Sequence, residues 1–279
     1  MRKISILMVS VLCMMMPVGA EAQVPTAFVS KGATDIQAQP HSITQTNSGA
    51  QWAPIDPMVR SITMDDGLPS NAVRSVVQGS KGYMWFGTDN GLCRFDGYDV
   101  KTYYNPFTTV DQFVSALTAC EEGLLVGCNN GAYLFCNATD RFQKLSDKIT
   151  APVLNFSLDG DQNIWISTNG QGVFRYNLTT HELHQYPMKN IQGKVQSTLV
   201  DANNQVWMLC NHGGASIYHL NKSTDQFEAF PLKGDATMFY GMAMLAAPDG
   251  NLYVGTWENG LYKLNADGSA EQLISGTLS

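Results

Sequence analysis

Trp85-Phe-Gly-Thr-Asp-Asn-Gly-Leu recurs in altered form four more times down the chain. The later copies are Leu125-Val-Gly-Cys-Asn-Asn-Gly-Ala, Trp165-Ile-Ser-Thr-Asn-Gly-Gln-Gly-Val, Trp207-Met-Leu-Cys-Asn-His-Gly-Gly-Ala and Tyr253-Val-Gly-Thr-Trp-Glu-Asn-Gly-Leu. The anchor residues are 40, 40, 42 and 46 positions apart. A period of this size marks one copied supersecondary unit, which needs neighbours to bury its faces.

Working outward from the first anchor, runs of β-branched and aromatic residues alternate with turn residues. Residues Ala72–Gln78, Tyr83–Thr88, Leu92–Phe95 and Val100–Tyr104 read as strands. The turns between them are Gly79–Gly82, Asp89–Gly91 and Asp96-Gly97. The second strand is almost wholly apolar, which fits a strand covered on both faces. Gly87, Gly127, Ser167 and Gly255 are small enough to let a neighbour approach. Four-stranded antiparallel units of this length predict an all-β fold, a β-propeller. Its five blades are expected at about 67–105, 114–145, 153–186, 195–230 and 242–274, within a propeller region 58–279. Arg60–Met64 reads as a fourth strand with no blade of its own. No partial blade is visible to receive it. The alternatives are a five-bladed ring with a spare strand and an incomplete ring, the N-terminal piece of a longer protein; the second is the expectation.

Residues 1–22 differ in kind. Arg2 and Lys3 precede an apolar run from Ile4 to Met16, then Pro17 and Ala20-Glu21-Ala22. This pattern predicts a secretory signal peptide cut before Gln23. Residues 23–57, rich in Gln, Ser, Thr, Ala and Pro, read as a flexible leader. Losing two cations and one anion takes the net charge from −7 to −8. A moderately acidic exported chain has no electrostatic footprint for nucleic acid. Five cysteines remain, irregularly spaced and without CxxC, so no disulfide framework is expected; a chance pair such as Cys120–Cys136 is the alternative. Cys128 and Cys210 stand where other copies have Thr88, Thr168 and Thr256, and read as small buried strand residues.

The stretch Asp66-Gly-Leu-Pro-Ser-Asn-Ala-Val-Arg-Ser-Val-Val, followed by Lys81-Gly-Tyr-Met-Trp-Phe-Gly-Thr-Asp-Asn-Gly-Leu-Cys-Arg-Phe-Asp-Gly, closely resembles the first blade of the two-component regulator propeller repeat. The resemblance covers about residues 59–268 and weakens in the second and fourth copies. It implies the N-terminal periplasmic sensor region of a hybrid two-component system of Bacteroidetes-type bacteria. Such receptors detect oligosaccharides and carry downstream sensor domains, a transmembrane helix and a histidine kinase. It also implies a homodimer of the intact receptor. This chain holds no kinase region, so it is not expected to be an enzyme.

Propeller ligands are expected on the face that carries the turns between second and third strands. The candidates there are Trp257, Glu258, Tyr240, His212 and Asn129. Aromatic rings would stack on a pyranose face, and amides and carboxylates would bond its hydroxyls. Turn geometry alone explains most of the Asn and Gly residues. The sequons at Asn137, Asn177 and Asn221 fall at the same turn of three copies and read as turn chemistry. His181 and His184 are three apart on a strand, on opposite faces, so no metal site is expected. No cofactor motif and no catalytic set is recognisable. The alternatives are an exported lyase resembling the streptogramin-lyase type, with His212 or His219 and Glu258 as a base pair, and a protein-binding propeller scaffold.

Overall fold

The computed structural model describes residues 61–108, 111–188, 194–211, 217–233, 241–247, 250–257, 260–265 and 267–274. The expected signal peptide and leader lie outside these residues. Twenty strands form five four-stranded antiparallel meanders, each in simple sequence order. The first blade holds β1 (Val73–Gln78), β2 (Met84–Thr88), β3 (Gly91–Phe95) and β4 (Val100–Tyr103). The second holds β5 (Val114–Ala119), β6 (Gly123–Cys128), β7 (Gly131–Cys136) and β8 (Arg141–Lys144). The third holds β9 (Val153–Leu158), β10 (Asn163–Thr168), β11 (Gly172–Asn177) and β12 (Leu183–Tyr186). The fourth holds β13 (Lys194–Val200), β14 (Val206–Asn211), β15 (Ile217–Asn221) and β16 (Gln226–Ala229). The fifth holds β17 (Gly241–Ala246), β18 (Leu252–Thr256), β19 (Leu261–Leu264) and β20 (Ala270–Ile274).

The sheets touch through their first strands, β1 to β5, β5 to β9, β9 to β13 and β13 to β17, as blades around an axis do. Among the described residues no comparable contact joins the first sheet to the fifth. Each junction between blades carries its own apolar layer. Trp85, Tyr103, Leu124 and Phe135 fill the first; Leu125, Ile149, Phe156 and Ile164 fill the second. Trp165, Tyr186, Val195 and Met208 fill the third; Leu209, Ile217, Leu252 and Val254 fill the fourth. Each large side chain so buried contributes about 1.5–3 kcal/mol.

Burial largely follows the number of neighbours, although β14 of the fourth blade keeps Trp207 and Asn211 only half-buried. Every residue of β6 is buried, and all of β10 except Asn163. In β2 and β18, which belong to the end blades, burial is broken. Steric fit follows the same rule. A Cβ on Gly127 would sit 2.8 Å from Val153 Cγ1 of the next blade. On Gly255 it would meet only Ala243, at 3.9 Å. At the fourth junction the fit is reversed, with Leu209 filling the space left by Gly241.

Two features differ from the sequence reading. The segment expected as a stray strand is none: Met64–Asp66 is a 3-10 turn, and Arg60 lies outside the described residues. Thr63 caps it, accepting from Asp65 N while Asp66 bonds back to Thr63 N. Local side-chain bonding outcompeted extension there, because no neighbouring strand rewards extension. The second feature is a bulge at one place in every blade. The register shifts at Val73/Ser75, Val114/Ala116, Ser167/Thr168 (opposite the start of β9), Val195/Ser197 and Gly241/Ala243. Such a bulge bends the innermost strand and re-aims one side chain.

Candidate functional site

The bulges shape the face where β2–β3 turns and blade-to-blade connections meet. At the first, Arg74 grips Asp89 through two bonds of 2.6 and 2.9 Å and lies 5.5 Å over the Phe113 ring. At the second, Ser115 Oγ donates to Val153 O of the next blade. At the fourth, Gln196 Oε1 accepts from Asn211 Nδ2. Polar residues of this face therefore largely hold its loops. Gln171 accepts from Thr150 N and Ala151 N. Gln112 accepts from Asn105 N at 2.6 Å and donates to Asn105 O and Thr108 O. Thr88, Thr168 and Thr256 donate across their turns to Gly91, Gly172 and Gly260 carbonyls.

One place on this face combines unpartnered polar atoms with an exposed ring; Ser75 Oγ and Asn211 Oδ1 are unpartnered elsewhere among the described residues. Phe107, 52% exposed, stacks on Tyr133 with ring centroids 5.4 Å apart. Tyr133 itself is fully buried, and its hydroxyl has no partner among the described residues. The buried Asn130 Oδ1 is likewise unpartnered. Burial pushes the Tyr133 hydroxyl up, opposed by the amides of Asn105 and Asn130 beside it. Asn105, also buried, accepts from Phe107 N and points its amide at Cys128 Sγ, 3.6 Å away. Asn129 Nδ2 donates to Asp111 Oδ2 at 2.7 Å, so this carboxylate stands at the rim. A buried polar atom without a partner costs about 1–3 kcal/mol, which a water or ligand hydroxyl there would recover. The first and second blades thus meet in an exposed aromatic plate beside two unsatisfied polar atoms.

Of the expected site residues, Asn129 lies in this cluster, and its first bond is to Asp111 within the protein. Trp257, 49% exposed, follows β18 on the fifth blade. Tyr240, His212 and Glu258 lie outside the described residues. The sequence reading did not single out Tyr133 or Asn105 as site residues, since both look like packing residues; only their unsatisfied or inward-facing polar atoms mark them.

Groups suited to catalysis are sparse among the described residues. The five cysteines are free. Burial pushes the Cys93 and Cys120 thiols up to about 11 and those of Cys128 and Cys210 up to about 12. These four are poor nucleophiles for that reason, whereas hydrogen bonds from Thr139 and Ala138 lower the Cys136 thiol. His181 bonds the Tyr176 hydroxyl at 2.8 Å, and His184 packs edge-on to Tyr186. His219 packs against Trp207 and Phe230. Asn177 and Asn221 accept backbone N–H bonds from Thr179, Thr180, Ser223 and Thr224, the hairpin chemistry expected of two of the sequons.

The comparisons agree with this architecture. Residues 67–90 match the family described as two component regulator propeller, so the first blade carries that repeat. Among curated proteins none matches the chain. The chain is similar to an extracellular domain described as that of the hybrid two component system BT4673 from B. thetaiotaomicron, with a TM-score of 0.65 at 20% identity. That match covers 75% of this chain and 28% of the other. The corresponding domain of BT3049 gives 0.65 at 18%, covering 77% and 32%. Virginiamycin B lyase from Staphylococcus aureus gives 0.64 at 15%, covering 76% and 73%. The chain thus spans less than a third of the length of the two sensor-type domains. At these identities the likeness establishes the propeller fold.

Proposed function

We propose that this chain is a periplasmic ligand-sensing propeller, the N-terminal part of a hybrid two-component receptor, and that its ligand is an oligosaccharide. The match of residues 67–90 to the two component regulator propeller family carries the sensor reading. Likeness to the extracellular domains of BT4673 and BT3049 is in keeping with it. The apolar run from Ile4 to Met16, followed by Ala20-Glu21-Ala22, supports export. The sugar class is supported by the exposed Phe107 plate over Tyr133 beside unpartnered Tyr133 and Asn130 oxygens. Exposed Trp257 is a second platform on the same face. Binding acts by biasing how the blades pack against downstream domains, without turnover, and the intact receptor is a homodimer.

Calorimetric titration of the exported chain with a panel of oligosaccharides tests this reading. A saturable heat with at least one glycan, weakened by Phe107→Ala, is expected. No heat with any glycan rejects the sugar class. A second reading, an exported lyase, draws on the comparable fold likeness to virginiamycin B lyase. Ring opening of a streptogramin by the purified chain would favour it over sensing.

A further inference from the structure

The opposite face, where β1–β2 and β3–β4 turns meet, holds two equivalent grooves with different contents. Both are built on one frame. In the first blade Trp85, Arg94 and Lys101 stand side by side across β2, β3 and β4. In the third blade Trp165, Arg175 and His184 hold the same places. Arg94 lies 5.9 Å over Trp85 and 5.8 Å over Tyr103; Arg175 lies 5.7 Å over both Trp165 and Tyr186. Each frame reaches an Asp in the β3–β4 turn of the next blade. Tyr103 donates to Asp140 at 3.1 Å and Tyr186 to Asp225 at 2.7 Å. Both aspartates have positive φ, 53° and 51°.

The two differ at several places, Gly79 and Phe135 against Asp159 and Leu220 among them, and the side chain that enters the first groove lies two residues before the Trp. In the first blade that position is Tyr83, whose ring lies 4.7 Å from the Arg94 guanidinium. The remaining void there is about 10 Å³, room for one water at most. In the third blade it is Asn163. Its amide is drawn away into the turn, donating to Asp159 and accepting from Asn177. The two positions are equivalent in backbone as well, since Gly79 N donates to Tyr83 O and Asp159 N to Asn163 O. The third-blade groove is open, with a volume of about 130 Å³. Its floor is Trp165, Val206 and Leu220, Arg175 borders it, and Asp161, Asn204 and Lys222 stand at its rim.

We propose that this groove between the third and fourth blades is a second ligand site, taking one neutral pyranose ring where the first blade places its own Tyr83 ring. The void matches one small ring and not a chain. Arg175 offers a flat surface like the one Tyr83 covers on Arg94. At the rim Lys222 can donate, while Asp161 and the Asn204 carbonyl, already bonded through Asn204 Nδ2 and Gly160 N, keep unused acceptor capacity, which suits hydroxyls. The choice of a sugar rests on the oligosaccharide reading above; the existence of the groove does not.

Methyl glycopyranosides and matched oligosaccharides are titrated into the full chain by saturation-transfer and chemical-shift NMR. The wild-type chain is expected to bind a methyl glycopyranoside. Asn163→Tyr, which copies the first blade, is expected to weaken that binding at least tenfold with unchanged circular dichroism. Lys222→Glu, at the exposed rim, is expected to weaken it several-fold and serves should Asn163→Tyr fold poorly. Tyr98→Ala, an exposed ring outside the groove, is expected to leave monosaccharide binding unchanged. Binding that survives both groove variants but falls with Phe107→Ala overturns this site and leaves the sensing reading standing. Oligosaccharide binding without monosaccharide binding has the same consequence. Absence of binding by every saccharide overturns both.

Discussion

The junction of blades one and two and the junction of blades three and four are the same object built twice, closed once and open once. Trp, Arg, Tyr and a partner Asp recur, yet Tyr83 fills the first groove and Asn163 leaves the second empty. The lesson is that the frame and its filling are separable. The frame is set by cross-strand neighbours inside a blade; the filling depends on side chains outside it, foremost the one at the end of a turn. The polar bonds also differ in quality. Arg175 holds Asp225 through two bonds of 2.9 and 3.1 Å. Arg94 reaches Asp140 only at 4.0 Å, and the exposed Lys101 supplies the closer contact at 3.0 Å.

The largest effect expected is loss of the anchor. Trp85→Ala and Trp165→Ala each remove a buried indole and should cost about 3–5 kcal/mol in urea denaturation. Trp165→Ala is expected at the higher end, because its indole N–H also donates to Asp159 at 2.8 Å, whereas Gly79 holds the corresponding place in the first blade. A clear inequality in the other direction would break the equivalence of the two frames.

The next effect separates blades with a following neighbour from the last described blade. Gly127→Ala drives a methyl to 2.8 Å from Val153 and should cost about 1–3 kcal/mol. Gly255→Ala, with only Ala243 at 3.9 Å, should stay within about 0.5 kcal/mol of wild type. Thermal melts of the pair are the check, and equal costs would contradict the neighbour rule.

Smaller still is the clasp. Asp225→Asn should cost about 1 kcal/mol, since the carboxylate is partly exposed and screened, and Asp140→Asn less. In the folded protein burial raises the Asp225 carboxyl, but hydrogen bonds from Tyr186 and Arg175 and the Arg175 charge outweigh it and leave it below the ordinary value. A carboxyl depressed by folding stabilises above its unfolded pKa, about 4, and that contribution fades as pH falls through the lower folded value. The stability gap between wild type and Asp225→Asn should therefore be full at pH 7 and shrink below pH 4. A gap that grows on acidification would contradict the clasp.

The smallest effect sharpens the comparison most directly. Tyr83→Asn should open the first groove for about 0.5–1 kcal/mol, the worth of its stacking on Arg94. A crystal structure of that variant should show a void like the one beside Arg175. A groove that collapses instead would mean Asn163 alone does not account for the opening.

Much of the architecture was readable in residues. The repeated anchor, the Gly- and Asn-bounded runs and the turn residues led to five four-stranded units. The observed strands of the first blade differ from the reading by a residue at most at either end. Asn177 and Asn221 act in their turns as their positions suggested. The bulge at the start of each first strand was not readable, because Arg74, Ser115, Leu154, Gln196 and Met242 share no chemistry; what they share is a place in the strand register. The candidate site was legible only in part. Asn129 was visible as a loop amide, but the unsatisfied oxygens of Tyr133 and Asn130 arise from what fails to reach them, which no residue pattern encodes.

The sequence by itself determined the repeat, the strands and the face on which each apolar side chain sits, because these follow from local periodicity and turn chemistry. Only the tertiary structure decided which groove stays open, which glycine is crowded and which polar atoms lack partners. Those outcomes depend on distances between blades some 40 residues apart, where a single ring or its absence changes what fits.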